Sequence, residues 1–172
     1  MKNNSVLTVS SPFRFRTLFT KPLKYIIQIF TWDPTEHAAG YYAGHVMNMS
    51  GDGFEKFTIR KWMKNYAISD AKIHIYEPIS PFTKAQISKI KKYNKSCISL
   101  KYDALDAAFS ALDEIKQIRS LDYKSKGLFC SQQVFNGFVA AGIFPKQKDK
   151  VSPAELKQIL IKSGLFTKRR IK

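Results

Sequence analysis

The sequence of residues 37–50, HAAGYYAGHVMNMS, predicts a β-hairpin, and this hairpin decides the fold class. Two short apolar strands are separated by Gly44, a residue that readily accepts the backbone angles of a tight turn. Working outward, the alternating stretch KIHIY at 72–76 predicts another strand, and SVLTV at 5–9 predicts a short one. The first half of the chain is therefore expected to form an antiparallel sheet.

The second half of the sequence predicts helices instead. Apolar side chains recur at helical spacing, and Ser152-Pro153-Ala154-Glu155 is a capping signature that opens a last helix. The predicted helices cover residues 22–31, 58–65, 83–93, 103–118, 130–141 and about 153–162. Because strands and helices are segregated along the chain, the predicted class is α+β, a small antiparallel sheet packed against helices. One domain is expected over residues 1–172.

The composition supports a folded, strongly basic protein. The chain has 172 residues, of which 44% are hydrophobic, and this excludes a mainly disordered class. Its 29 Lys and Arg residues outnumber 13 Asp and Glu, which gives a net charge of +16. Such a charge favours an anionic partner: nucleic acid, an acidic membrane face or an acidic cell-wall polymer. The lysines of residues 84–95 and the KRRIK run at 168–172 are the best candidates for such a contact, although they are most simply explained as solvated faces.

The cysteine content and the apolar runs indicate a reducing compartment. Two cysteines, Cys97 and Cys130, form neither a disulfide framework nor a four-ligand zinc pattern, so no metal or cofactor is expected. The longest apolar-rich run, residues 23–30, is too short to span a bilayer, and the first residues do not resemble a signal peptide. A cytoplasmic location is expected, with which a phage-encoded or delivered protein is compatible.

Cys130 is the most informative candidate for chemistry, because it follows a loop and begins the predicted helix CSQQVFNGFVAA. A helix N-terminus places backbone N–H groups and positive dipole charge beside the sulfur, which lowers the thiol pKa and favours the thiolate nucleophile. The same N–H groups can hold a developing oxyanion. A buried structural cysteine is the alternative interpretation.

His37 and Asn48 are the candidates to assist that thiol. His37 begins a strand, so its ring has a fixed direction and could serve as the base that generates the thiolate. Asn48 lies in the second strand of the hairpin, where it could orient the imidazole through its other nitrogen. His45 and His74 are weaker candidates, since His74 projects opposite to the two isoleucines beside it in KIHIY.

Taken in order, several segments resemble the circularly permuted, YiiX/YaeF-like branch of the NlpC-type, papain-like cysteine peptidases and amidases. The resemblance covers roughly residues 30–166. It is carried by a histidine strand unit, a glycine turn with a short helix, a Tyr-Asp helix start, a nucleophile helix and a C-terminal Ser-Pro-x-x-Leu-type segment. These are EHAAGYYAGHVMNM, GDGFEKFTIRKW, YDALDAAF, LFCSQQVFNGFVAAGI and VSPAELKQILIKSGLF.

The resemblance implies a papain-like fold in which the histidine strand precedes the cysteine helix. It implies Cys130 as nucleophile, His37 as base and Asn48 as the residue that orients the histidine. Gln132 stands where many relatives carry Glu, and the N-terminus lacks the Gly-Asp strand with which the family often opens. With Tyr102 and Trp62, Gln132 is a candidate for the substrate groove, Trp62 being equally a candidate for the core.

The function expected from these residues is a thiol hydrolase or acyltransferase that attacks an acyl or amide bond. The resemblance implies peptidoglycan peptides, isopeptides or lipid acyl groups as substrates, and the sequence does not choose among them. The rival is a non-catalytic protein whose basic surface binds nucleic acid or another polyanion. It rests on the charge alone and needs no triad.

Overall fold

The computed structural model describes residues 1–10, 35–66, 71–103, 128–146 and 150–170. Within these ranges six strands pair into one antiparallel sheet: β1 (Ser5–Ser10), β2 (Thr35–Tyr42), β3 (His45–Ser50), β4 (Gly53–Thr58), β5 (Lys72–Pro78) and β6 (Phe166–Arg170). Their spatial order is β4-β3-β2-β1-β5-β6. The same ranges contain four helices: α1 (Ile59–Tyr66), α2 (Lys84–Ser96), α3 (Cys130–Ala140) and α4 (Pro153–Lys162).

The hairpin between β2 and β3 forms where the sequence predicts it. Ala43 and Gly44 both adopt positive φ, 48° and 83°, as the two central residues of a type I′ turn require. This turn type matches the right-handed twist of the flanking strands. Gly44 supplies the conformation at no steric cost, whereas Ala43 tolerates it because the paired strands hold the turn in place.

Hydrophobic side chains cover both faces of the sheet. Neighbouring strand residues point to opposite faces, so Val6 and Leu7 belong to two different clusters. On one face the sheet packs against α3 and α4, whose largest buried side chains include Phe138 and Leu156. On the other face Trp62 of α1 packs with strand residues. The central strands are therefore enclosed, and the two outer strands form the edges.

The predicted α+β class is confirmed, with two corrections to the strands. Residues 53–58 and 166–170 form strands that the sequence analysis did not assign. The basic run at the end of the chain is thus a sheet edge for most of its length, since Lys168–Arg170 pair with β5. The predicted helices at 22–31 and 103–118 lie outside the described residues.

Local capping explains where the described helices begin. Thr83 and Ser152 each form the capping box with a Gln or Glu three residues later, as the sequence of the last helix predicts. Thr58 accepts a hydrogen bond from the backbone N–H of Lys61, which fits its predicted role as N-cap of α1. None of the helices in the described ranges combines the length and apolar character needed to cross a membrane.

Candidate active site

Cys130 is the first residue of α3, and the segment before it is anchored by a short bridge. Leu128 N–H donates to Lys101 O at 3.1 Å, and Asp103 N–H donates to Leu128 O at 3.0 Å. Phe129, at the N-cap, offers no side-chain hydrogen bond to the helix. The backbone N–H of Ser131, in the first turn of α3, donates to the Cys130 sulfur instead. The Cys130 side chain is almost enclosed, with 2% of its residue surface exposed.

The histidine is presented at a place where two strands separate. β2 pairs with β3 only over Gly40–Tyr42, whereas His37 still pairs with Val9 of β1 on its other side. The part of β2 that includes His37 therefore has one edge unpaired by β3. Helix α3 packs against both β2 and β3 and brings its N-terminus to this opening.

Three groups surround the Cys130 sulfur: the His37 side chain and the backbone N–H groups of Ala38 and Ser131. Burial is the largest single influence on the thiol and raises its pKa. The positive charge of His37, its hydrogen bond to the sulfur and the two backbone N–H groups act in the opposite direction. Together they outweigh burial and hold the pKa of Cys130 below the ordinary value.

A chain of two hydrogen bonds fixes the His37 ring. His37 Nε2 lies 2.7 Å from Asn48 Oδ1, and Trp62 Nε1 donates to the same oxygen at 3.0 Å. An indole N–H can only donate, so the Asn48 atom that faces Trp62 must be the amide oxygen. Since that oxygen accepts, His37 Nε2 must carry a proton. This leaves Nδ1 as the ring nitrogen for the Cys130 sulfur.

The Trp62 ring also shields this chain of hydrogen bonds. It is fully buried, and its plane is stacked near that of His37, with 6.5 Å between ring centroids and 28° between planes. A hydrogen bond in a dry, low-dielectric surrounding is electrostatically stronger than one exposed to water. The structure therefore places Trp62 in the core behind Asn48, where it contributes to the orientation of the imidazole and cannot line a substrate groove.

We expect Asn48→Ala to lower the rate of Cys130 acylation by about ten- to a hundredfold, by analogy with losses of groups that orient metal-bound histidines. Trp62→Phe should give a smaller loss, because the ring remains and only the donor to Asn48 is removed. The measurement is acetylation of Cys130 by p-nitrophenyl acetate, followed by mass spectrometry. An Asn48→Asp control keeps an acceptor for His37 Nε2 and should retain more activity than Asn48→Ala. Equal rates in all four proteins would contradict the orienting role.

The remaining candidates occupy other surroundings. Tyr102 forms an isolated β-bridge with Leu128 and packs against a small cluster that contains Cys97. Gln132 lies two residues after the thiol and is half-buried. These two remain groove candidates by position alone. The structure leaves Cys97 as a free, buried thiol whose pKa is raised, first of all by burial.

The other two histidines lie apart from the cysteine. His45 is at the β2–β3 turn, where its Nδ1 is 3.1 Å from Ala43 O. His74 lies in β5, opposite Thr8 of β1 and Arg170 of β6, so a whole strand separates it from β2. The structure thus brings Cys130, His37 and Asn48 together and excludes His45 and His74 from their group.

Two contributors to the site were missed by sequence reasoning. Trp62 was considered only for the core or the groove, and Ala38 was considered only as a small strand residue. The donor of Ala38 is a backbone N–H, which no side-chain pattern reveals. For Trp62 the available signal was the helical spacing of Ile59, Trp62 and Met63, which puts all three on one face of α1.

An open pocket lies beside the β3–β4 hairpin and is distinct from this group of side chains. Its volume is about 460 Å³. Its walls are formed by Ser50, Gly51, Asp52, Glu55, Phe57, Lys61 and Asn65. Because none of the three residues around the Cys130 thiol contributes to its walls, we assign it no part in the chemistry.

Comparison with known proteins gives a fold and no family. No protein-family model matches the chain, and no curated protein is similar enough in sequence to count as a match. Among solved structures, the chain is similar to the metalloprotein YiiX from Escherichia coli O157:H7, with a TM-score of 0.58. The two are 12% identical in sequence, and the alignment covers 97% of this chain and 87% of that one. At that identity the likeness establishes a shared fold.

The neighbour is a metalloprotein, and a metal site needs several His, Cys, Asp or Glu side chains that converge on one point. Within the described ranges, no cluster of three or more His, Cys, Asp or Glu side chains has the arrangement needed to hold a metal ion. His37 and Cys130 are instead engaged with each other and with Asn48. The described residues around Cys130 thus offer a nucleophile and a base and do not form a three-ligand cluster.

Proposed function

We propose that the protein is a thiol hydrolase or acyltransferase in which Cys130 attacks an acyl or amide carbonyl, with His37 as the base and Asn48 as its orienting residue. One observation carries the proposal: the Cys130 sulfur is hydrogen-bonded to a histidine whose other nitrogen is held by an asparagine oxygen. This is the geometric relation of nucleophile, base and orienter that defines such triads on unrelated folds. The fold shared with YiiX and the order of His37 before Cys130 support assignment to the permuted, papain-like branch.

In the first half of the reaction the Cys130 thiolate forms a bond to the carbonyl carbon. The carbonyl π electrons move to oxygen, and backbone N–H groups at the start of α3 can stabilise that oxyanion. The tetrahedral intermediate collapses and expels the amine or alcohol. His37, protonated at Nδ1, gives this proton to the leaving group, so that a thioester on Cys130 and a neutral imidazole remain.

In the second half the neutral imidazole accepts a proton from water or from another acceptor hydroxyl or amine. The activated acceptor adds to the thioester carbonyl, and the thiolate is released as the leaving group. Asn48 keeps the His37 Nε2 proton in place throughout, so Nδ1 alone exchanges protons. A neutral amide orients the ring without adding the stabilisation that a carboxylate would give to the imidazolium.

The substrates that this chemistry accommodates are peptide or isopeptide bonds, including those of peptidoglycan, and lipid acyl groups. All three present a carbonyl carbon bonded to nitrogen or oxygen. The thiol is almost enclosed, so the scissile group must reach it through a narrow approach. This favours an extended chain or a linear acyl group over a branched, bulky one.

The decisive experiment is the pH dependence of alkylation by iodoacetamide, read at each cysteine by mass spectrometry. Only the thiolate reacts, and an ordinary thiol titrates near pH 8.5. Because the pKa of Cys130 is depressed, its thiolate persists as the pH falls below that value and disappears only below the depressed pKa. We therefore expect Cys130 to remain reactive at pH 6, where an unperturbed thiol retains well under about 1% of thiolate.

Cys97 provides the internal control in the same molecule. Burial raises its pKa, so its alkylation should be slow at neutral pH and rise only in alkali. Selective Cys130 modification at pH 6 supports the thiol enzyme. Equal, slow modification of both cysteines would overturn the proposal and leave the polyanion-binding protein as the better interpretation.

A further inference from the structure

The edge of the sheet farthest from the β-hairpins carries a concentration of basic residues. β6 is the outermost strand, and all of its residues after Phe166 are exposed. Lys168 and Arg170 lie opposite Tyr76 and His74 of β5, so they project to the face that α4 covers. Lys72 of β5 and Lys157 of α4 also act electrostatically on His74. We call Lys72, Lys157, Lys168 and Arg170 the basic edge.

The basic edge creates a positive electrostatic field around His74. The pKa of His74 is lowered first by its partial burial and then by the four residues of the basic edge. Among the described residues, the charged groups that shift this pKa are all basic. On the opposite face of β6, Arg169 pairs with Glu77 at 3.2 Å, so its charge is locally balanced. Lys168 and Arg170 add their positive charges on the other face, the one that α4 covers.

An exposed aliphatic group adjoins the start of the same strand. Ile79 and Leu165 are 51% and 43% exposed, and Ile79 N–H donates to Leu165 O at 2.9 Å. Met1, 39% exposed, is held nearby because the next residue, Lys2, hydrogen-bonds to Glu77 and Pro78. We call Met1, Ile79 and Leu165 the apolar tip. The apolar tip lies at the Phe166 end of β6. Along the strand, Phe166 is about 13 Å from Arg170, at roughly 3.3 Å per residue.

The distribution of exposed aliphatic side chains is uneven. Among the described residues, the large hydrophobic side chains that are exposed are Met1, Ile79, Ile98, Ile161 and Leu165. Three of the five form the apolar tip, and Ile161 lies in the last turn of the helix that leads into Leu165. Basic residues on an edge strand would by themselves be explained as protection against edge-to-edge association. That explanation does not account for aliphatic side chains exposed beside them.

We propose that the apolar tip and the basic edge together form a docking surface for an anionic lipid bilayer. Exposed aliphatic side chains enter the boundary between headgroups and acyl chains, while nearby lysines and arginines contact lipid phosphates. Nucleic acid fits the surface less well, because single-strand binding relies on exposed aromatic side chains and the apolar tip has none. The inference does not depend on the chemistry proposed for Cys130.

The test is flotation of the full chain with vesicles made of equal parts phosphatidylglycerol and phosphatidylcholine. Vesicles of phosphatidylcholine alone serve as the neutral reference. We expect binding to the anionic vesicles, weak binding to the neutral ones, and a large loss at 1 M salt, where the Debye length falls to about 3 Å. Competition with a DNA oligonucleotide is measured in parallel.

Two double variants separate the two parts of the surface. Lys168→Glu with Arg170→Glu should weaken binding by about tenfold or more, since each basic residue near an anionic surface contributes roughly a fivefold change. Ile79→Ser with Leu165→Ser should also weaken binding several-fold, and its effect should persist at high salt. All four positions are exposed, so folding is checked by thermal unfolding without an expected change.

Matched controls on another surface decide between a defined site and general charge attraction. Lys91→Glu with Lys92→Glu on α2 makes the same change in net charge, and Ile98→Ser removes an isoleucine that is 63% exposed. We expect both controls to bind vesicles nearly as well as the native chain. Equal losses in control and test variants would overturn the docking surface. Binding to DNA with no contribution from Ile79 and Leu165 would do the same and would favour nucleic acid as the partner.

Discussion

Replacing Cys130 by alanine is expected to abolish acylation, with a loss of at least about four orders of magnitude. The thioester cannot form without the sulfur, and no second nucleophile in the group replaces it. Cys130→Ser should be nearly as inactive, because a serine hydroxyl is far less acidic than a thiol that His37 already holds below its ordinary pKa. The measurement is acetyl transfer from p-nitrophenyl acetate, with the modified residue identified by mass spectrometry.

The fold should survive this change. Because the pKa of Cys130 is lowered in the folded chain, its thiolate contributes stability above that pKa, so Cys130→Ala is expected to fold but to unfold at a somewhat lower temperature at neutral pH. Cys97→Ser is the matched control, since a serine hydroxyl can keep the hydrogen bond that Cys97 donates to Tyr93 O. It should leave acetylation almost unchanged. Acetylation that persists in Cys130→Ala, or is lost in Cys97→Ser, would contradict the assignment of the nucleophile.

Replacing His37 by alanine is expected to raise the pKa of Cys130. The two largest influences that lower this pKa, the charge and hydrogen bond of His37, disappear together. Burial, which raises the pKa, remains and is opposed only by the N–H groups of Ala38 and Ser131. The alkylation profile should therefore move to higher pH, so that the rate of Cys130 alkylation at pH 6 falls below that of the native chain.

His45→Ala and His74→Ala are the matched controls for this prediction. Neither residue belongs to the group around Cys130, so neither change should move the alkylation profile. His37→Asn tests whether a neutral polar side chain can substitute, and we expect it to behave like His37→Ala. A shifted profile in His45→Ala, with an unchanged one in His37→Ala, would show that a different histidine activates the thiol.

The docking surface and the thiol are separable in these experiments. The basic edge lies on β5, β6 and α4, while His37 and Asn48 lie on β2 and β3. Variants of Lys168 and Arg170 should change vesicle binding and leave the pH profile of Cys130 alkylation unchanged. Cys130→Ala should do the reverse.

Local rules in the sequence determined where several elements begin and turn. The hairpin follows from Gly44, because few other residues adopt its backbone angles without strain. The start of α4 follows from Ser152, Pro153 and Glu155, because their capping hydrogen bonds are made within one turn. The place of Cys130 at the start of α3 follows in the same way from the loop before it and the apolar helix after it. Each of these signals needs only neighbouring residues.

Of the two strands that the sequence analysis did not assign, β6 was decided by tertiary structure alone, whereas β4 pairs with its sequence neighbour β3 across a short turn. β4 and β6 have no clear alternation of apolar and polar residues, and β6 consists largely of charged side chains. Such a strand is stabilised by hydrogen bonds to its neighbour in the sheet. The neighbour of β6 is β5, which is distant from it in sequence. Local propensity carries no information about that neighbour. For this reason the KRRIK run was predicted as a solvated tail although most of it is a sheet edge.

The contact among the three candidate side chains also depended on the tertiary structure. Sequence reasoning and the family resemblance selected Cys130, His37 and Asn48 as candidates, but they could not establish that the three side chains meet. The three side chains meet because β2 and β3 do not pair before Gly40 and helix α3 packs at that opening. The Trp62 indole N–H, which donates to Asn48, fixes the orientation of the amide. The sequence thus determined which residues could perform the chemistry. Packing between distant segments decided their contact, because the direction of a side chain depends on the strand or helix that holds it and on what that element packs against.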